Sequence, residues 1–136
     1  MRLLLDINII LDVVFRRPGE PVSSAQIATC GRQNQAWLAW HSVVTLAYLI
    51  DRQDNADSAI KVIDDLLNWA QVATVGHADA LKALAMPMRD FEDALQVTAA
   101  LACNATNIIT RNGRDYVGTA VPANSPEELL ARHPPV

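Results

Sequence analysis

Near its N-terminus the chain reads Leu3-Leu4-Leu5-Asp6-Ile7-Asn8-Ile9-Ile10-Leu11-Asp12. The three leucines form an apolar run that is too short for a helix and does not alternate with polar residues. Such a run is typical of a strand buried on both faces of a parallel sheet. The run stops at Asp6, and the apolar residues beyond it predict a helix over roughly 8–15. This stretch therefore indicates a strand that leads directly into a helix.

The rest of the chain repeats this alternation of short apolar runs and longer helical patterns. Further strands are predicted over 36–40, 72–75 and 107–110. Helices are predicted over 22–33, 42–52, 55–70, 77–85, 90–103 and 125–132. Because strands separated by helices form right-handed crossovers, the order predicts a layered α/β domain.

Length and composition narrow the class of protein. A chain of 136 residues fits one domain, and 51% hydrophobic residues exclude an intrinsically disordered chain. No apolar run approaches the roughly 18 residues of a membrane helix, and Asp6 comes too early for a signal peptide. We therefore expect a cytoplasmic protein without a membrane segment. Cys30 and Cys103 form no CxxC pair, which favours reduced thiols.

The charge balance limits how the chain could bind nucleic acid. Its formal net charge is −4, from 11 basic and 15 acidic residues. A protein that coats polyanions in general is therefore disfavoured. Any nucleic acid must be held by a local basic patch.

Asp6 lies where the first predicted strand ends. In open α/β sheets, ligands bind outside the carboxyl ends of the strands, so Asp6 is a candidate site residue. An aspartate at this place can equally cap the next helix, with Asn8 sharing the task. Position alone leaves the two interpretations evenly matched.

A second group of acids, Asp90-Phe91-Glu92-Asp93, opens a helix that is otherwise almost entirely apolar. Asp90 has the position of an N-cap residue. Asp93 lies one turn inside, where an unpaired carboxylate beside apolar neighbours is costly. We therefore expect a positive charge to meet Asp93.

A third polar group, Thr110-Arg111-Asn112-Gly113-Arg114-Asp115, follows the predicted strand over 107–110. Carboxylates brought together at one edge of a sheet repel each other unless a cation neutralises them. Sites with only oxygen ligands favour Mg²⁺ or Mn²⁺ over zinc. Such a cluster usually serves phosphoryl transfer or hydrolysis.

In this order, the segments resemble the PIN-domain family, and most closely the VapC-like ribonuclease toxins of prokaryotes. The resemblance covers essentially the whole chain, residues 1–136, as a single domain. It rests on Leu4-Leu5-Asp6-Ile7-Asn8-Ile9-Ile10-Leu11-Asp12, Ser42-Val43-Val44-Thr45-Leu46-Ala47, Asp90-Phe91-Glu92-Asp93-Ala94-Leu95, Thr110-Arg111-Asn112-Gly113-Arg114-Asp115-Tyr116, and Val121-Pro122-Ala123-Asn124-Ser125-Pro126-Glu127-Glu128-Leu129-Leu130.

The resemblance implies a three-layer α/β/α fold around a central, mostly parallel sheet of four to five strands. It implies a Mg²⁺- or Mn²⁺-dependent endoribonuclease in which Asp6, Asp93 and Asp115 hold the metal, while Thr110 and Asn112 order the water and the acids around them. It also implies a cytoplasmic homodimer and a small antitoxin partner.

The chain departs from the family pattern at one position. The family usually carries a glutamate on the helix after the second strand, and the alignment places Tyr48 there. Tyrosine is a poor magnesium ligand near neutral pH because its phenol stays protonated. Asp51, three residues further along, and Asp90 are possible substitutes. The alternative function is a catalytically weakened PIN domain that binds RNA or a protein partner without cleavage.

Several other side chains have two interpretations. Arg16, Arg17, Arg111 and Arg114 are candidates for binding RNA phosphates, although a salt bridge or free solvation is favoured for each. Asp12 could support the site, but a solvated helix residue is somewhat favoured. Three tryptophans are expected in the core or at a dimer interface, namely Trp37, Trp40 and Trp69. No spacing links the three histidines into a site.

A third function class is a phosphatase that forms an aspartyl-phosphate, with Asp6 as the nucleophile. The second aspartate expected for that class is Asn8 here, and neither Lys61 nor Lys82 falls at a predicted strand end. This class therefore ranks last.

Overall fold

The computed structural model describes residues 1–16 and 35–134 of the chain. The helix predicted over 22–33 lies outside the described residues, as do Arg17 and Cys30. Within these residues, no helix combines the length and the hydrophobicity of a membrane-spanning segment.

A parallel sheet of five strands forms the centre of the described structure, in the order β3-β2-β1-β4-β5. The strands are β1 (Arg2–Leu5), β2 (Gln35–Leu38), β3 (Ala70–Val72), β4 (Asn107–Ile109) and β5 (Ala123–Asn124). The leucine run forms the central strand, in which Leu4 pairs with Trp37 on one side and with Ile108 on the other. All four pairings are parallel, which confirms the fold class.

Helices cover both faces of the sheet. The described α-helices are α1 (Ile7–Val14), α2 (Trp40–Gln53), α3 (Ala56–Leu67), α4 (His77–Ala85), α5 (Phe91–Ala102) and α6 (Pro126–Arg132), and a 3₁₀ helix spans Gly113–Tyr116. Successive side chains of a strand point to opposite faces. Leu3 and Leu5 accordingly lie in the core with α1, α2, α3 and α6, whereas Leu4 lies in a second core with α5. The three-layer α/β/α arrangement is thus confirmed.

Two of the predicted boundaries that differ from the observed ones have a clear structural reason. The strand predicted over 72–75 occurs at Ala70–Val72, because α3 already ends at Leu67 and Ala70 pairs with Ala36 of β2. Helix α2 begins at Trp40 rather than at 42, because Ala39 takes the extended conformation of an N-cap residue (φ −72°, ψ 146°). Trp40 therefore starts a helix and is 64% exposed. Of its two predicted places, the core is wrong and a dimer interface stays a prediction.

Candidate active site

The carboxyl edge of the sheet brings Asp6 and Thr110 together. Asp6 follows β1 and Thr110 follows the neighbouring strand β4. The hydroxyl of Thr110, a residue that is 1% exposed, donates a hydrogen bond of 2.8 Å to Asp6 Oδ2. Asp6 also caps α1, since its Oδ1 accepts from the amide of Asn8 over 3.4 Å. Helix capping and site formation therefore use different oxygens of the same carboxylate.

The loop after β4 is attached to the same hydroxyl. The amide of Asn112 donates to Thr110 Oγ1 over 3.1 Å, and the amide of Asp115 donates to the carbonyl of Asn112 over 3.0 Å. Asp115 is exposed in the 3₁₀ helix. Thr110 thus connects Asp6 to the segment that carries Asn112 and Asp115.

Asp93 lies partly buried in the first turn of α5. The hydroxyl of Tyr116 donates to Asp93 Oδ1 over 3.1 Å. Burial raises the pKa of the Asp93 carboxyl, the hydrogen bond from Tyr116 lowers it, and the negative charges of Asp90, Asp115 and Asp6 raise it further. Asp6 and Asp115 therefore lie close enough to Asp93 for their charges to act on it.

Asp90 is the N-cap residue of α5, as its position predicts. Its Oδ1 accepts from the amide of Glu92 over 2.8 Å and from the amide of Asp93 over 3.4 Å. Its charge nevertheless contributes to the raised pKa of Asp93. Asp90 is thus near the site, with its Oδ1 already used by the helix terminus.

A partly buried ion pair supports the loop after β4. Asp12 is only 3% exposed and accepts from Arg111 Nε over 3.1 Å, so the interpretation of Asp12 as a solvated helix residue is wrong. Arg111 also donates from Nη1 to both carboxylate oxygens of Glu127, over 2.9 and 3.0 Å. The residue between Thr110 and Asn112 is therefore anchored to α1 and α6. The sequence carries no local signal for this contact, since Arg111 and Asp12 lie 99 residues apart.

The other arginines predicted to bind RNA phosphates lie on the surface or outside the described residues. Arg16 and Arg114 are exposed, and Arg17 is outside the described residues. An RNA contact by any of these arginines remains a prediction. For Arg111, such a contact would compete with Asp12 and Glu127.

Tyr48 lies on the surface of α2 and is 56% exposed. Arg52 donates from Nη1 to the Tyr48 hydroxyl over 3.2 Å, and its guanidinium lies 5.7 Å from the centre of the ring. Asp51 is exposed in the last turn of the same helix. The acids that raise the pKa of Asp93 are Asp90, Asp115 and Asp6, and Asp51 is not among them.

His41 is a residue near the site that spacing arguments missed. It lies in the first turn of α2, just after the carboxyl end of β2. Burial lowers the pKa of its imidazole, while the charges of Glu92 and Asp6 act to raise it. Its position after a strand end is the only signal in the sequence that could have identified it.

The donor set can be compared with the needs of a divalent ion. Asp6, Asp93 and Asp115 offer carboxylate oxygens, which Mg²⁺ and Mn²⁺ prefer, and a cation would relieve the repulsion that raises the pKa of Asp93. In donor type and charge, the residues fit. Within residues 1–16 and 35–134, however, no three His, Cys, Asp or Glu side chains converge closely enough to hold one ion. Binding through all three acids therefore requires side-chain movement, for which the exposed Asp115 has the most room.

Comparison with known proteins gives a sequence match and several structural matches. A family model described as PIN domain matches residues 2–114. No curated protein matches the sequence. Among solved structures, a chain of VapBC-1 from nontypeable Haemophilus influenzae superposes with a TM-score of 0.69 at 18% identity, covering 93% of this chain and 99% of that chain.

Two further structures are similar over almost their whole length. VapBC2 from Rickettsia felis, solved with a DNA fragment from its promoter, has a TM-score of 0.69 at 14% identity and covers 92% of this chain and 98% of its own. FitAcB from Neisseria gonorrhoeae has a TM-score of 0.66 at 14% identity, with the same two coverages of 92% and 98%. At these identities the likeness concerns the fold.

Proposed function

Because the chain belongs to the PIN-domain family, we propose that it is a metal-dependent endoribonuclease of the VapC toxin type, which hydrolyses RNA phosphodiester bonds. The observation that carries the proposal is the environment of Asp93. Its carboxyl is partly buried at the carboxyl edge of the sheet, and the charges of Asp6, Asp90 and Asp115 all act on it. A group of acids at this edge is costly for stability, and a divalent cation would offset that cost.

Each residue of the site has a separate task in this proposal. Asp6, Asp93 and Asp115 would hold Mg²⁺ or Mn²⁺, which supplies Lewis acidity for water activation and for stabilising charge on the leaving oxygen. Thr110 orients the Asp6 carboxylate through its 2.8 Å hydrogen bond. Asn112 and the ion pair of Arg111 with Asp12 keep the loop that carries Asp115 next to Asp6.

Tyr48 favours a second candidate function. A tyrosine stands where the family usually has a glutamate, and its hydroxyl accepts from Arg52 at the surface of α2. With one acid fewer, the domain would bind a divalent ion weakly and would act by binding RNA or a protein partner without cleavage. The two candidates differ in one observable property, which is cleavage that depends on the metal.

The structural relatives support a proposal about the partners of this chain. The structural relatives are VapBC and FitAB assemblies, two of them solved with DNA. We infer a small antitoxin as the partner of this chain, RNA as its substrate, and a cytoplasmic homodimer as its assembly.

The test is RNA cleavage by the purified protein with Mn²⁺ or Mg²⁺, on total RNA and on a transfer-RNA pool. EDTA and Asp93→Asn control for contaminating nuclease. Asp64→Asn removes a matched, exposed carboxylate from α3. Cleavage by the wild type and by Asp64→Asn, lost with EDTA and with Asp93→Asn, is the expected result. A folded protein that cuts none of these RNAs would contradict the proposal and favour the binding function.

A further inference from the structure

Tyr116 occupies a position between the second core and the candidate site. It is 5% exposed and belongs to the core that also contains Val97, Ile108 and Val121. Its hydroxyl leaves that core and donates to Asp93 Oδ1 over 3.1 Å. The ring and the hydroxyl therefore have different surroundings, one apolar and one acidic.

The hydrogen bond between Tyr116 and Asp93 also joins two separate elements of the fold. Tyr116 is the last residue of the 3₁₀ helix, and Asp115 directly precedes it. Asp93 belongs to α5, which is a separate element. Tyr116 therefore connects the helix that carries Asp93 to the segment that carries Asp115, across 23 positions of sequence.

The hydroxyl of Tyr116 is not needed for the packing of its ring. A phenylalanine would fill the same apolar space, whereas a buried hydroxyl is costly unless it forms a hydrogen bond. The phenol is a hydrogen-bond donor at neutral pH, and the carboxylate that accepts its bond is restricted in orientation. With Oδ1 of Asp93 held by Tyr116, the direction of the other carboxylate oxygen is set as well.

We propose that Tyr116 is a positioning residue of the active site: its hydroxyl orients the Asp93 carboxylate for a divalent metal ion, and its buried ring anchors the segment that carries Asp115. This inference rests on the proposed function, because it assigns Asp93 and Asp115 to the metal. Residues that hydrogen-bond to metal ligands orient them, and their loss typically costs 10–100-fold in metal affinity or activity. Tyr116 would orient Asp93 in this way.

The test is a calorimetric Mn²⁺ titration of the wild type and of Tyr116→Phe, which keeps the ring and removes the hydroxyl. The Mn²⁺ dissociation constant should rise about 10–100-fold, and kcat on RNA should fall with KM unchanged. Thr106→Val is the matched control, because it removes a hydroxyl that donates to the Arg2 carbonyl before β4, at the opposite edge of the sheet. It should leave the Mn²⁺ affinity and kcat unchanged.

A double-mutant cycle provides a readout that does not depend on activity. If Tyr116 acts through Asp93, Tyr116→Phe should change the free energy of unfolding much less in the Asp93→Ala background, which lacks the acceptor oxygen, than in the wild type. Equal effects in both backgrounds would overturn the assignment.

The outcomes separate this inference from the proposed function. If the wild type cuts RNA and Tyr116→Phe matches it in Mn²⁺ affinity and kcat, the positioning role fails and the nuclease stands. If the wild type binds Mn²⁺ and Tyr116→Phe binds it weakly, but neither cuts RNA, the nuclease fails and the positioning role stands. A wild type that does not bind Mn²⁺ would overturn both.

Discussion

Replacing Thr110 with valine should separate Asp6 from the loop after β4 without changing the shape of the core. The Thr110 hydroxyl donates to Asp6 Oδ2 over 2.8 Å and accepts from the Asn112 amide over 3.1 Å. Valine has nearly the same size and shape, so the packing around this fully buried position should change little. The effect should therefore come from the two hydrogen bonds.

The magnitude follows from the partners of those bonds. A hydrogen bond to a charged group contributes about 1.5–3 kcal/mol, and one between neutral groups about 0.5–1.5 kcal/mol. The bond from the Asn112 amide joins two neutral groups, so the second range applies to it. Thr110→Val should therefore lower the free energy of unfolding by about 2–4 kcal/mol. Thr110→Ser keeps the hydroxyl and loses one buried methyl group, which costs about 1 kcal/mol.

The assay is urea unfolding of the wild type and both variants in EDTA, followed by Mn²⁺ titration of each folded protein. Thr110→Val should be the less stable variant and should bind Mn²⁺ more weakly, because Asp6 is no longer oriented. Thr110→Ser should bind Mn²⁺ as the wild type does. A valine variant that equals the serine variant in both stability and Mn²⁺ affinity would refute this account of Thr110.

Three other substitutions have defined outcomes. Since the pKa of Asp93 is raised in the folded protein, ionisation of this carboxyl lowers the stability of the wild type as pH rises above the ordinary aspartate range. In EDTA, the melting temperature of Asp93→Asn relative to that of the wild type should therefore increase from pH 4 to pH 7. A difference in melting temperature that stays constant over this range would contradict the raised pKa. Asp12→Asn should lower the free energy of unfolding by about 2–4 kcal/mol, because it breaks a partly buried ion pair and leaves Arg111 bound only in part. Urea unfolding measures the change, with Asp64→Asn as a control that should stay within about 0.5 kcal/mol of the wild type. Tyr48→Glu should raise Mn²⁺ affinity several-fold by restoring a family acid, whereas Tyr48→Gln should not. Identical calorimetric isotherms for Tyr48→Glu and the wild type would mean that another residue already supplies the missing metal ligand.

The sequence predicts those residues of the site that directly follow the end of a strand. The leucine run and Ile108-Ile109 are apolar and form buried strands, and their adjacency in a parallel sheet brings Asp6 and Thr110 to one edge. The acidic start of α5 is equally visible, since the rest of that helix is almost entirely apolar. These features depend on local composition.

The contacts that hold the acids in place depend on residues far apart in sequence. Arg111 reaches Asp12 across 99 positions, and Tyr116 reaches Asp93 across 23. Nothing near Asp12 indicates that it is buried, because its partner comes from the opposite end of the chain. The start of β3 differs from its prediction for a related reason. The pairing of Ala70 with Ala36 decides which part of the mostly apolar segment from Trp69 to Val75 becomes strand.

The measurement that tests the central claim most directly is a calorimetric Mn²⁺ titration of the wild type beside Asp6→Asn. Asp6 caps α1 through Oδ1, and an asparagine can cap as well as an aspartate, so the variant should fold normally. We predict that the wild type binds Mn²⁺ and that the folded Asp6→Asn protein does not. Equal Mn²⁺ affinity in the two proteins would contradict the assignment of this acidic edge as a metal site.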